Sequence, residues 1–259
     1  MTATLLPGRL ISRAEHVWST VVSIDVRDDD ASVAAVDAAW EQVREELHRI
    51  DRVYSTFRDD SVVSRIRRGE LRRVDDADVV EVLDLCLQAR AITRSAFDPW
   101  AVPGGFDPSG LVKGWAADRC ATILREHGLR SVSVDAGGDV TCRGTIDGRP
   151  WPIGISHPDD PLEVVAVVEV LDAAVATSGT SQRGDHVRDT RPSHGSRAAG
   201  GARQATVIGP DGAIADALAT ALVVAGTEGA EWFARLPSWS ACLVQGDVLT
   251  TWGPAFARA

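Results

Sequence analysis

The second half of the chain carries a succession of short β-patterned segments divided by turn residues, and this series constrains the fold more than any other feature. The segments are "SVSVDAGG" (131–138), "TCRGTI" (141–146), "WPIGIS" (151–156), "VVAVVEVLDAAVATSG" (164–179), "QATVIG" (204–209), "SACLVQ" (240–245) and "VLTTW" (248–252). Several are consecutive and joined by short turns, which favours antiparallel pairing over a doubly wound fold in which strands and helices alternate. A strand is predicted at 18–26. Apolar residues at helical spacing predict a long helix over 32–57, and further helices are predicted at 75–93 and 114–127, the last ending near Gly128. The expected class is α+β, with largely antiparallel sheets and segregated helices.

One more helix, 213–225 within "GAIADALATALVVAG", is apolar except for Asp216 and Thr220. These two are four residues apart, so they share one helix face. Two readings fit that spacing. A carboxylate and a hydroxyl, joined by a main-chain carbonyl from elsewhere, make a hard-oxygen site for Mg²⁺. Alternatively, Asp216 serves local hydrogen bonds near the helix start and Thr220 bonds back to its own helix. A short helix is predicted near 228–235. Residues 188–204, rich in Arg, Gly and Ser, lack periodicity and read as a mobile loop. No internal repeat or linker divides the chain, so a single domain is expected over 1–259.

Composition narrows the partners. A 259-residue chain that is 44% hydrophobic is large enough to bury a substantial core. Its 37 acidic and 27 basic side chains give a formal net charge of -10, which repels a nucleic-acid backbone. No apolar run approaches the roughly 20 residues that span a bilayer, and the N-terminus lacks a signal pattern. The expectation is a soluble cytoplasmic protein, neither integral to a membrane nor bound to nucleic acid. Cys86, Cys120, Cys142 and Cys242 have no paired spacing for zinc and read as reduced structural residues.

Glycines and carboxylates cluster at strand ends and helix starts: "SAFDP" (95–99), "FDPSGLVKGWAAD" (106–118), "DAGGDV" (135–140) and "ATSGTSQRGDH" (176–186). Free backbone amides and close ligand approach at such junctions suit a phosphate-bearing ligand. Lys113 is the only lysine in a chain that otherwise uses arginine. A compact ammonium at that position suits a phosphate contact or a carboxylate pair inside a site. A hydrolase reading, with His186 as base, Asp185 and Asp189 orienting it and Ser178 or Ser181 as nucleophile, finds no G-x-S-x-G elbow. No G-x-G-x-x-G fingerprint follows the first strand either.

Taken in order, "YSTFRDDSVVSRI", "SAFDP", "DPSGLVKGWAAD", "DAGGDV", "ATSGTSQRGDHVRD" and "ADALATAL" resemble the motifs of the ApbE-type FAD:protein FMN transferases, over roughly residues 16–252. That resemblance implies an α+β domain that binds FAD as substrate with Mg²⁺. The chemistry it implies is cleavage of the FAD pyrophosphate and transfer of FMN, through a phosphoester bond, to a Thr or Ser of an acceptor protein with release of AMP. Hydrolysis of FAD to FMN and AMP, or flavin binding without catalysis, are the alternatives.

The resemblance also implies roles for residues. Asp216 and Thr220 match the metal-binding side chains, and Gly110 matches the position that supplies a main-chain ligand. Ala96, Phe97 and Asp98 match a flavin-dinucleotide contact, and Phe57 and Asp107 match further ones. Gly137, Gly138, Thr177, Ser178, Gly179 and His186 fall in the remaining site segments, with Lys113 beside the pyrophosphate. Asp98, Asp139 and His186 are the catalytic candidates. Where the family commonly has Met-Gly-Thr, this chain has Trp18-Ser19-Thr20, placing Trp18 where it would either stack on an aromatic ring of FAD or block it. The segment between "AFDP" and "DPSG" is shorter than in many members, and the family's Asp-Pro is here Asp189-Thr190.

Overall fold

The chain opens as a tight hairpin. β1 (Ile11–Val17) and β2 (Thr20–Val26) pair from Ile11↔Val26 to Val17↔Thr20, leaving only Trp18 and Ser19 in the turn. Both turn residues have positive φ, 55° and 60°, the conformation that lets a two-residue loop follow the twist of its strands. The predicted strand at 18–26 therefore begins two residues later than expected. β1 is an additional element: its sequence, ISRAEHV, mixes charged and apolar residues as an edge strand does. The structure, a computed structural model, describes residues 10–160, 162–179, 188–189, 197–198 and 202–256.

Helices α1 (Val33–Tyr54), α2 (Val62–Arg67) and α3 (Ala77–Ile92) follow, each started by a side-chain cap from Ser32, Ser61 or Asp76. The six-residue α2 was not anticipated, being too short to display a period. α4 (Ser109–Glu126) starts five residues before the predicted position, with Asp107 Oδ1 accepting the Ser109 N–H at 3.0 Å. Five strands come next: β3 (Val132–Ala136), β4 (Val140–Arg143), β5 (Trp151–Ser156), β6 (Val164–Val170) and β7 (Ala174–Gly179). The long run 164–179 is thus two strands, broken by a turn in which Asp172 has φ 46°.

Within the stretch expected to lack structure, β8 (Arg188–Asp189) pairs with β9 (Arg197–Ala198), a two-residue ladder. The other residues of 188–201 lie outside the described ones. The chain finishes with β10 (Gln204–Gly209), α5 (Gly212–Ala225), a 3₁₀ turn at Gly226–Gly229, α6 (Ala230–Phe233), β11 (Ser240–Gln245) and β12 (Val248–Trp252).

Eight strands form one sheet in the order β1-β2-β3-β4-β7-β10-β11-β12, and every pairing is antiparallel. Alternation along the strands assigns its two faces. Val175, Ile208 and Cys242 pack with Trp151, Ile155, Val168 and Val170 of the β5–β6 hairpin, which folds over one face. Their neighbours Ala176, Val207, Ala241 and Leu243 pack on the opposite face with α5. β10 is consequently buried at all six positions. At the other end of the sheet, α1 and α4 cover Val22, Ile24, Val132 and Val134.

α5 is buried at every position but Thr220. The helical run Gly212–Phe233 spans 22 residues and is long and apolar enough to cross a membrane by length and composition, contrary to the expectation that no such run exists; 78% of its apolar window lies inside the protein, as befits a core helix. All four cysteines are free and buried.

The hairpin turn supplies a direct test. Ser19 is exposed and carries a left-handed backbone that costs a non-glycine residue about 1 kcal/mol. Ser19→Gly should raise the melting temperature by roughly 2–4 °C, measured by thermal denaturation; an unchanged or lower value would show that the turn is not strained.

Candidate active site

The site is assembled where α4, the β3–β4 turn, the end of β7 and α5 meet. Asp216 sits in the second turn of α5 and is 1% exposed. It does not cap the helix, because Asp211 does so by accepting the Ile214 N–H at 2.8 Å. Asp216 Oδ2 instead faces Lys113 Nζ at 3.5 Å and accepts the Gly114 N–H at 3.4 Å. Lys113 Nζ also donates to Oδ2 of Asp139, itself 1% exposed, whose Oδ1 accepts the Thr177 N–H at 3.2 Å.

Two buried carboxylates therefore face one ammonium. Burial, and then repulsion from Asp139, push the Asp216 carboxyl up to about 7, against the opposing pull of Lys113 and the Gly114 N–H.

Hydroxyls complete the polar surface. Thr220, one turn after Asp216, is the only residue of α5 that is not buried, so it marks where the core helix opens onto the site. Its Oγ1 lies 3.0 Å from Ser178 Oγ, and Thr177 Oγ1 lies 2.9 Å from Thr206 Oγ1. Gly110 has non-helical angles, φ -83° and ψ 19°, inside α4. One turn later in α4 the Gly114 N–H lies 3.4 Å from Asp216 Oδ2. A Cβ at Gly110 would come within 3.3 Å of both Thr220 Oγ1 and the Phe97 ring, a tight contact that those side chains would have to yield to by a few tenths of an ångström.

A cleft of about 970 Å³ opens beside the β3–β4 turn, lined by Trp18, Ser19, Thr20, His48, Asp135, Gly137 and Gly138 among others. Gly137 and Gly138 have φ 68° and 98°, and a side chain on Gly137 would strike Thr20 Oγ1 at 2.7 Å. Asp135 Oδ1 accepts the Gly138 N–H at 2.7 Å and holds the turn. The Trp18 indole N–H is buried and has no hydrogen-bond partner among the described residues.

The candidates from the sequence thus divide. Lys113, Asp139, Asp216, Thr220, Thr177, Ser178 and Gly110 converge. Gly179 continues the same strand as Thr177 and Ser178, opposite Gln204. Trp18, Gly137 and Gly138 line the adjoining cleft. Phe57 follows α1 and is 95% exposed. Ala96 and Phe97 are buried behind Gly110. Asp98 is engaged elsewhere, by Arg90 Nε at 2.8 Å and the Trp100 N–H at 3.1 Å. Asp107 serves the start of α4. His186, Asp185 and Ser181 lie outside the described residues, and of Asp189 only the backbone is described. Gly114 was missed, although its adjacency to the sole lysine was visible. Thr206 was missed because only strand pairing brings it beside Thr177, and Asp135, although it opens the motif DAGGDV, was not singled out.

Comparison with known proteins assigns the chain to a family. The chain matches the ApbE family model over residues 18–105 and 103–243. The FAD:protein FMN transferase of Klebsiella pneumoniae (strain 342) is 25% identical, over 97% of this chain and 87% of its own length. That of Escherichia coli (strain K12) is 32% identical over 56% of this chain and 44% of its own. Among solved structures, the flavin transferase ApbE from Vibrio cholerae superposes with a TM-score of 0.83 at 20% identity, covering 97% of this chain and 99% of that one. The ApbE protein of Thermotoga maritima gives 0.79 at 23% identity, covering 93% and 96%. These superpositions establish a shared α+β fold. The chain belongs to the ApbE family.

The raised carboxyl yields a pH prediction. Asp216 is held above its ordinary value of 3.8, so between roughly pH 4 and 7 the folded state binds more protons than the unfolded one. Stability contributed by this group is present at low pH and lost as pH rises through that window. In metal-free buffer, Asp216→Asn should melt close to wild type at pH 5 and above it at pH 8; parallel melting curves at the two pH values would contradict the shift.

Proposed function

We propose that this chain is a Mg²⁺-dependent FAD:protein FMN transferase that attaches FMN to a Thr or Ser of an acceptor protein. The observation that carries this reading is the pair of buried carboxylates, Asp139 and Asp216, facing a single ammonium beside the Thr220 hydroxyl. Among the described residues this cluster has two carboxylates to one ammonium, and its oxygens are the hard donors that Mg²⁺ prefers. Among the described residues no three His, Cys, Asp or Glu side chains gather as metal ligands. The donor set that fits is mixed: Asp216, the Thr220 hydroxyl and the main-chain carbonyl of Gly110, with phosphate oxygens and water completing it. Bound there, Mg²⁺ would offset the charge of the FAD pyrophosphate and orient it for displacement.

The residues of the chain supply position and proton transfer. A pyrophosphate brings two negative charges to a protein of net charge -10, and Lys113 stands at the site to offset part of them. The exposed Phe57 ring and Trp18, which lines the cleft, are flat surfaces for the ring systems of FAD. In the transfer, the acceptor hydroxyl oxygen bonds to the phosphorus of the FMN half while the pyrophosphate P–O bond breaks and AMP leaves. The hydroxyl proton passes to a carboxylate. Asp139 is assigned that role over Asp98 because it shares the Lys113 ammonium with Asp216, whereas Asp98 is paired with Arg90 away from that cluster. His186 is included in this reading on the resemblance alone.

Release of AMP from FAD, with in-gel fluorescence of flavin bound to an acceptor, tests the proposal. Asp216→Ala and Asp139→Asn should each lower AMP release by about 100-fold, and Asp98→Asn by much less. Equal losses for Asp98→Asn and Asp139→Asn would overturn the assignment of the base. Release of AMP without any flavinylated protein would make the chain an FAD pyrophosphatase.

A further inference from the structure

The three charged residues of the site come from three separate parts of the chain: Lys113 from α4, Asp139 from the turn immediately before β4 and Asp216 from α5. The Asp118 side chain also joins α4, β4 and α5. Asp118 lies on α4 one turn beyond Gly114, on the same helix face. Its Oδ2 accepts the N–H of Gly212, the first residue of α5, at 2.6 Å. Its Oδ1 accepts from Thr141 Oγ1 and from Arg143 Nη2, both on β4 and both at 2.8 Å. Thr141 is fully buried and lies two residues after Asp139; Gly212 lies one turn before Asp216.

Sterics sharpen the arrangement. A Cβ on Gly212 would come 2.6 Å from the Gly114 carbonyl oxygen and 3.0 Å from Asp118 Oδ2, so the two helices touch backbone to backbone where the carboxylate joins them. The negative charge is matched by the Arg143 guanidinium and by the positive end of α5.

We propose that Asp118 is the positioning residue of the site: by tying α4, β4 and α5 through one carboxylate, it sets how far Asp139 and Asp216 stand from each other and from Lys113. The effect on catalysis rests on the transferase reading above; the geometric role does not. An amide at this position cannot repeat the pattern, because donors approach both oxygens and an amide offers an acceptor on only one side.

The test uses the full chain. Lys113 is the only lysine, so protein grown on [13Cε]lysine gives a single lysine resonance that reports on the ammonium and its two carboxylates. Asp118→Asn should move that resonance by more than its linewidth. Arg143→Met, which removes one donor at a partly exposed position, should move it in the same direction by less. Arg130→Ala, which breaks an exposed ion pair with Asp30, should leave it in place. In parallel, titration with Mn²⁺ should show affinity weakened about tenfold or more in Asp118→Asn, as for loss of a residue that orients metal ligands.

Lysine resonances of Asp118→Asn and Arg143→Met that superimpose on wild type would overturn the proposal, as would unchanged Mn²⁺ affinity in Asp118→Asn. If Asp118→Asn does not fold, Arg143→Met decides. If wild type binds no Mn²⁺ while the resonance still moves in the variants, the metal-dependent transferase reading falls and the positioning role stands.

Discussion

The interaction on which the site depends is an unequal one: two buried carboxylates held against one ammonium. Removing a carboxylate from water is costly unless charge and hydrogen bonds replace the lost hydration. Lys113 and the amides of Gly114 and Thr177 replace part of it. The remainder shows as the upward push on the Asp216 carboxyl. A cluster of this kind is a poor way to stabilise a fold and a good way to bind a cation and a phosphate, because each relieves a charge the protein leaves uncompensated.

The architecture is arranged to hold that imbalance in place. α5 is buried by the sheet and the other helices at every position but Thr220, which allows it to carry a charged residue in a fixed orientation. Close contact of α4 with α5 requires glycine at 114 and 212, and the non-helical step at Gly110 turns the first residues of α4 toward Thr220. The β5–β6 hairpin covers the opposite face of the sheet and leaves the site side to the helices. The cleft adjoins the cluster through a turn of only a few residues, from Asp135 to Asp139, so ring recognition and phosphate chemistry are served by neighbouring parts of one loop.

Much of this was legible in the sequence, for identifiable reasons. β5, β10, β11 and β12 occupy the predicted ranges because β-branched runs bounded by turn residues signal strands locally. Lys113 stood out because no other lysine dilutes it, and Asp216 because a charge inside an apolar helix has to be answered. The edge strand β1 was not legible, since its polar positions face solvent and interrupt the pattern. The start of α4 was obscured by Pro108 and by Gly110, whose role is to break helical geometry. Asp118 stood in plain view in "KGWAAD", but its partners lie 23, 25 and 94 residues away, and no local pattern reveals a contact of that range. The placement of Asp98 against Arg90 likewise depends on tertiary geometry.

The most direct measurement is calorimetric titration of FAD into the metal-free chain, repeated with Mg²⁺ present, for wild type and Asp216→Ala. If the buried carboxylates bind the cation that receives the pyrophosphate, Mg²⁺ raises FAD affinity at least tenfold in wild type, and that gain disappears in Asp216→Ala. Equal affinity with and without Mg²⁺, or a gain that survives in Asp216→Ala, would contradict a metal-coupled site at Asp216.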